Sequence, residues 1–375
     1  MSVRVLHTAD LHLGASMVQF GEFADQRRDD FAATFERIVD RAIEGQADIL
    51  AIAGDLFDRN AAPQRVIERV RRGCERLEAA GVVCVLVPGT HDGVDASDAI
   101  YRTINLPGAI VLMDPRCESP VPLTVRDQRI NLYGLAARPG TENPLSSMAR
   151  RDLPGLHLGL LHATLVRAPQ WQVPTRDVPV TAEQLADLGL DYVALGHLHR
   201  QQTVEHEGRL VAAYCGSPEG KDFTENGPRA FLWVELSAGG ARIQSENCQT
   251  RQLAAVEVEQ SDVESLDQAV DAAVTACGEA SICRVTLRGS PPLELDLAGL
   301  RQRLEARLDY LELIDDTLSI STRELERLGA ERTVRGAFVQ RMAQRLESAA
   351  DDQQRELLTL ATRLALVEFK RGDQT

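Results

Sequence analysis

The sequence predicts an α/β fold on a largely parallel sheet, followed by a smaller α+β unit and two terminal helices. Three observations carry this. Short apolar runs alternate with amphipathic segments up to Gly89, strand-like runs then succeed one another to residue 236, and the pattern changes after about residue 250. Strand, helix, strand, helix, strand in series is βαβ order, whose crossovers make a sheet parallel. At 375 residues with 44% apolar side chains, the chain exceeds one ordinary domain and can fill two cores.

Taken in order, "VRVLHTAD" (3–10) is an apolar run ending in polar residues, as a buried strand does. "DDFAATFERIVDRAIEG" puts Phe31, Phe35, Ile38, Val39 and Ala42 on one helical face, with Gly45 as a stop. "ADILAIAGD" is a second strand, and a second helix opens at Pro63 and closes at Gly81. "VVCVLVPG" is a third strand. Further strands fall at 129–137, 157–163, 191–197, 210–217 and 230–236, separated by turn signals such as "RPGTENP" and "SAGGA". Beyond them, strands in "LAAVEVE", "ICRVTL" and "YLELIDDTLSI" with helices over 262–276 and 298–308 form the α+β unit. Two helices follow over 333–349 and 351–370. Phe338, Met342 and Leu346, then Leu357, Leu360, Leu364 and Val367, supply apolar faces that either pack on their own domain or dock another protein. The expected division is a large first domain over 1–250, a small accessory domain over 251–325 and a helical segment over 326–375.

No segment approaches the roughly 20 uninterrupted apolar residues of a membrane span. The N-terminus lacks the ordered regions of an export signal, and the seven cysteines are scattered without a C-x-x-C pair. Both features suggest buried thiols in a cytoplasmic protein. A net charge of −15 argues against a general nucleic-acid binder, though an enzyme whose metal ions meet the phosphates is not excluded. The acidic excess gathers in 257–316, a poor surface for DNA. Lys221 and Lys370 are the only lysines.

Five polar clusters lie at strand ends, where open α/β sheets place their ligand sites. They are Asp10-Leu11-His12; Gly54-Asp55 with Asp58; Gly89-Thr90-His91-Asp92; His162; and Gly196-His197-Leu198-His199. Each alone is commonplace, since an Asp or His after a strand is more often a turn residue than a ligand. Five in series are not. Together they offer imidazoles and carboxylates without thiolate, a donor set suited to Mn, Fe or Zn better than to Mg or Ca.

This series resembles the calcineurin-like metallophosphoesterase superfamily, and "LHTADLHLG" with "GHLHR…GSPE" is similar to its SbcD-type DNA-repair nuclease branch. The resemblance spans residues 7 to about 231. It implies a layered sandwich of β-sheets flanked by helices and a dinuclear centre that activates hydroxide for phosphodiester hydrolysis. Asp10, His12 and His199 would hold one metal, His162 and His197 the other, with Asp55 bridging. Mn is the first choice, with Fe, Zn or Mg as others. His91 would serve as proton donor or phosphate contact, with Asp92 orienting its ring. Implied partners are DNA as substrate and an SMC-like coiled-coil ATPase, with room for a homodimer. A phosphoesterase of nucleotides or small esters, or a non-catalytic ATPase subunit, are the rival functions.

The departure is Thr90, where the family motif carries an Asn ligand of the second metal. Its shorter β-branched hydroxyl leaves three readings: ligation through water, direct ligation after a backbone shift, or a poorly filled second site. His7 is read as a hydrogen-bonding neighbour rather than a ligand, and His157 and His206 as structural or exposed. Asp58 stands where some branch members carry an additional His. Lys221 and Arg229 are read as solvated residues or phosphate contacts. Arg65, Arg69, Arg72 and Arg76 read as a solvated helix face or a DNA-backbone stripe.

Overall fold

A computed structural model describes residues 2–95, 97, 99–136, 145–166, 178–289, 291, 295–317 and 322–372. The chain divides into two compact units, Met1–Gln252 and Leu253–Thr375.

In the first unit, β1 (Val3–Thr8), α1 (Ala24–Glu44), β2 (Ile49–Ala53), α2 (Gln64–Ala79) and β3 (Val83–Val87) follow the expected βαβ order, and the three strands pair in parallel. A short helix α3 (Ile100–Thr103) leads to β4 (Ala109–Val111), then β5 (Val121–Val125), β6 (Gln128–Leu135), β7 (Leu156–His162), β8 (Thr164–Leu165) and β9 (Pro179–Val180). Helix α4 (Ala182–Asp187) is started by a capping box between Thr181 and Gln184. After it come β10 (Tyr192–Gly196), β11 (Gln202–His206), β12 (Arg209–Tyr214), β13 (Ala230–Ser237) and β14 (Gly240–Asn247).

Twelve of these strands form two six-stranded sheets, ordered β14-β13-β1-β2-β3-β4 and β11-β12-β10-β7-β6-β5, while β8 and β9 pair with each other. Alternate residues along each strand face one way, so the sheets bury a shared core between them. Val5, Ala51 and Val85 come from the first sheet, and Leu132, Leu158, Leu160 and Tyr192 from the second. The intervening residues Tyr133, Leu161, Val193 and Leu195 pack outward against Leu185 and Leu188 at α4. Helix α1 buries the expected Phe31, Phe35, Ile38, Val39 and Ala42. The mixed α/β class and the layering of sheets and helices are as expected.

The second unit is a parallel sheet of β15 (Leu253–Glu259), β16 (Ile282–Arg288) and β17 (Tyr310–Asp315) with α5 (Leu266–Cys277) and α6 (Leu297–Glu305). Helices α7 (Thr322–Gly329), α8 (Val334–Glu347) and α9 (Asp352–Gly372) complete it. The apolar face of α9 differs from expectation. Leu358, Thr362 and Leu366 are buried, whereas Leu357, Leu360 and Leu364 are exposed. Thr362 was invisible as a core residue because a hydroxyl there is satisfied within the helix, donating to the Leu358 carbonyl. The side chain of Val367 lies outside the described residues.

Candidate metal centre

The two sheets bring their carboxyl ends together at one point. At Gly196, ending β10, an added Cβ would lie 1.9 Å from the Ala53 carbonyl oxygen at the end of β2. Only glycine allows that approach. The loops after β1, β2, β3, β7 and β10 therefore converge, which brings all five polar clusters to one site.

The backbone is strained there. Asp10, His12, Asp55 and His197 have φ of 54°, 44°, 51° and 102°. Left-handed backbone at a non-glycine residue costs of order 1–3 kcal/mol and persists only where surrounding contacts enforce it. Here the Asp10 amide donates to the Gly54 carbonyl at 3.0 Å and the His12 amide to the Asp55 carbonyl at 2.9 Å. The His197 amide donates to the Asp10 carboxylate at 3.0 Å. Gly54 has φ of 94°, and an added Cβ would strike the His162 ring.

Among the described residues, three groups of side chains offer donor atoms within 4.8 Å of one another: Asp10, His12 and His199; Asp10, Asp55 and His162; and His12, Asp58 and His91. His197 joins the second, its Nδ1 lying 3.3 Å from Nε2 of His162. Asp10 and Asp55 are almost fully buried, and their ion-pair partners among the described residues are histidines. Buried carboxylates call for a cation. The histidines are set up to leave nitrogen lone pairs for one. His162 Nδ1 lies 3.0 Å from the Ala53 carbonyl, which can only accept, so Nδ1 carries the proton and Nε2 is left for a ligand. His199 Nδ1 is engaged by the Glu225 carboxylate, and its Nε2 lies 3.1 Å from Nε2 of His12. The donor set thus fits two divalent cations.

The charges agree. Burial disfavours the imidazolium of His162, but the negative Asp55 and Asp10 outweigh it and hold the ring at about 10. Burial likewise opposes the charge on His199, and Glu225 and Asp10 raise its pKa. Burial pushes Asp55 up, and His162 and His12 overcome that to leave it well below the usual carboxylate range. In His12 burial prevails and the pKa falls. Protons thus sit where cations would displace them.

Glu225 escaped the sequence reading, although it lies in the "DFTENGP" loop. It also accepts from Ser217 Oγ and the Lys221 amide, each at 3.0 Å. A cleft of about 630 Å³ opens beside it, lined among others by His199, Ser217 and Arg229.

Two expectations need correction. Asp92 does not orient His91. It is buried and turned into its own loop, accepting from the Gly89 amide at 2.7 Å, the Phe57 amide at 3.0 Å and the Tyr101 hydroxyl. Burial, then the nearby Asp55 charge, raises its pKa to about 6. The turn after β3 carries Asp92 inward, while the His91 side chain is 45% exposed. The His91 ring rests on the Asp58 carbonyl, with Nδ1 at 3.0 Å. Secondly, Lys221 is not merely solvated, because its Nζ lies 3.3 Å from Oδ1 of Asp58.

The other singled-out residues lie as follows. Thr90 sits on the same turn, between Gly89 and His91, and the His91 amide donates to the Asp55 carboxylate at 2.8 Å. Buried His7 joins the two sheets through Tyr192 Oη at 3.0 Å and the Leu195 carbonyl at 3.2 Å. His157 is buried against Tyr133, and His206 lies on β11. Arg229 donates to the backbone carbonyls of Glu225 and His199. Arg69, Arg72 and Arg76 pair with Glu36, Glu68 and Asp40, so the α2 stripe is largely neutralised.

A profile of the calcineurin-like phosphoesterases matches residues 3–201. The chain belongs to that family. The family uses a dinuclear divalent metal centre, and the side-chain groups above are possible ligands for one. The chain is similar to the uncharacterized metallophosphoesterase YhaO of Bacillus subtilis, at 27% identity over 80% of this chain and 76% of YhaO. It is also similar to the DNA double-strand break repair protein Mre11 of Haloferax volcanii, at 28% identity over 85% of this chain and 70% of that protein. The Mre11 of Methanosarcina mazei matches at 27% identity over 66% of this chain, which spans only 39% of that relative. Among solved structures, a dimetal phosphatase from Danio rerio covers 66% of this chain and 98% of its own, with 12% identity and a TM-score of 0.37.

Proposed function

We propose that this metallophosphoesterase is a metal-dependent phosphodiesterase cleaving DNA, as an exonuclease or endonuclease of DNA repair. Asp10, His12 and His199 would hold one divalent cation and His162 and His197 the other, with the Asp55 carboxylate within reach of both groups. The observation that carries this is the meeting of buried Asp10 and Asp55 with imidazoles whose other nitrogens are already engaged. Two such cations supply Lewis acidity at the phosphoryl oxygens and an acidified water as nucleophile. The mixed donor set favours Mn.

The chain's own groups do the rest. The Ala53 carbonyl and Glu225 hold His162 and His199 in their ligating tautomers. His91 gives Nδ1 to the Asp58 carbonyl and keeps Nε2 for a phosphate or leaving-group oxygen. Asp92 fixes the turn that presents it. Support for DNA as substrate comes from the likeness to the Mre11 proteins, which are DNA double-strand break repair proteins. The exposed row Leu357, Leu360 and Leu364, at helical spacing on α9, suits docking by a coiled-coil ATPase. Seven buried free cysteines suit a cytoplasmic setting. No described helix is long and apolar enough to cross a membrane.

A second reading, hydrolysis of nucleotides or small phosphoesters, is favoured by the acidic balance and the neutralised α2 stripe. Turnover of linear duplex DNA, nucleotides and bis-p-nitrophenyl phosphate in Mn separates the two. Brisk small-ester hydrolysis with intact DNA refutes the nuclease reading.

A further inference from the structure

The third donor group, His12, Asp58 and His91, has a carboxylate at its centre but is no third cation site, because Lys221 already supplies the charge. Its Nζ lies 3.3 Å from Oδ1 of Asp58. The same oxygen lies 3.4 Å from Nδ1 of His12 and 4.0 Å from Nδ1 of His91. One carboxylate therefore ties the ammonium to a candidate metal ligand and to the exposed imidazole.

The lysine is held there from its backbone. Its amide donates to Glu225, the residue that orients His199, and its carbonyl accepts from the Gln19 side chain at 2.7 Å. The side chain is 22% exposed, so it is partly open to solvent. It is the only lysine between residues 1 and 252, amid many arginines. An ammonium acts as a point charge, where the Arg229 guanidinium is taken up by backbone carbonyls. The loop carrying it follows the matched part of the chain, residues 3–201.

Resting on the phosphodiesterase reading above, we infer that Lys221 is a substrate-binding residue that contacts the phosphate presented to the metal centre. Asp58 holds its ammonium beside His91, so that both meet the same phosphate group. The carboxylate aims the cation; the lysine engages the non-bridging oxygens.

The test uses the full chain with Lys221→Met, Lys221→Arg and, as a control for generic charge, Arg59→Met. Arg59 Nη2 lies 3.7 Å from the other Asp58 oxygen but is 54% exposed. Binding of a labelled oligo-dT is followed by anisotropy in Ca²⁺ across a salt series. Each phosphate contact to a single strand contributes about 0.7 to the slope of log affinity against log salt. Lys221→Met should lower that slope by about 0.7 and weaken binding about tenfold, and Lys221→Arg should restore most of the slope. With bis-p-nitrophenyl phosphate in Mn, Lys221→Met should raise KM about tenfold with kcat changed less than threefold. An unchanged slope, no binding by the unaltered chain, an equal effect from Arg59→Met, or loss of bound Mn in Lys221→Met overturns the assignment. If the unaltered chain hydrolyses no phosphoester, the phosphodiesterase reading fails while the slope still decides the fate of Lys221.

Discussion

Replacing Glu225 by Gln keeps the shape of the side chain and removes the charge that His199 leans on. The carboxylate receives Nδ1 of His199, Ser217 Oγ and the Lys221 amide. It is held at about 2: burial opposes its charge, but His199 outweighs that. Loss of a carboxylate that orients a ligating histidine weakens metal binding by about 10- to 100-fold, or about 1.4–2.7 kcal/mol. The His199 side chain is 24% exposed and partly screened, which places the expected loss near the lower end. The loss should also depend on pH with a definite sign. Glu225 raises the pKa of His199, so in the unaltered chain protons compete with metal to a higher pH. Glu225→Gln relieves that competition, and the gap in Mn affinity should be widest at high pH and narrow as pH falls through the His199 pKa. Calorimetric titration with Mn between pH 6 and 8.5 reads this directly. A pH-independent gap, or equal affinities at high pH, refutes the claim that Glu225 acts through the charge of His199.

Thr90→Asn should tighten the second Mn and raise turnover of bis-p-nitrophenyl phosphate, and unchanged stoichiometry and rate would count against Thr90 being a weakened ligand position. Gly196→Ala forces a Cβ to within 1.9 Å of the Ala53 carbonyl oxygen, so the sheets must part where the site forms. Denaturant unfolding should show a loss of about 3 kcal/mol or more together with lost metal binding, and near-native stability would disprove the close approach. Burial, resisted only by the Leu195 carbonyl, lowers His7 from 6.5 to about 3. A depressed folded-state pKa gives stability that is full above 6.5 and lost progressively as pH falls toward 3. At pH 5 that loss is about 2 kcal/mol relative to pH 7. His7→Gln lacks this term, and parallel stability curves for the two proteins would exclude it.

What the sequence could show was set by burial. The strands legible as apolar runs are mostly the inner ones, such as β1, β2, β3, β7 and β10, which are covered on both faces. The four missed in the two large sheets, β4, β5, β11 and β14, are all edge strands. An edge strand such as β14 is largely solvated and carries no apolar run to read. The same holds at the site. Asp10, His12, Asp55, His162, His197 and His199 were marked by type and by position after a strand, because sheets of parallel strands collect their loops at one end.

Orientation was a matter for tertiary structure alone. Asp92 and His91 are neighbours in sequence, yet one packs inward under Tyr101 and the other rests on Asp58. Asp58, Lys221 and Glu225 meet the histidines only because loops from β2 and β12 close over the same point. Periodicity and residue type fix which side chains reach a strand end; which of them then touch depends on contacts made across the sheets between residues far apart in the chain.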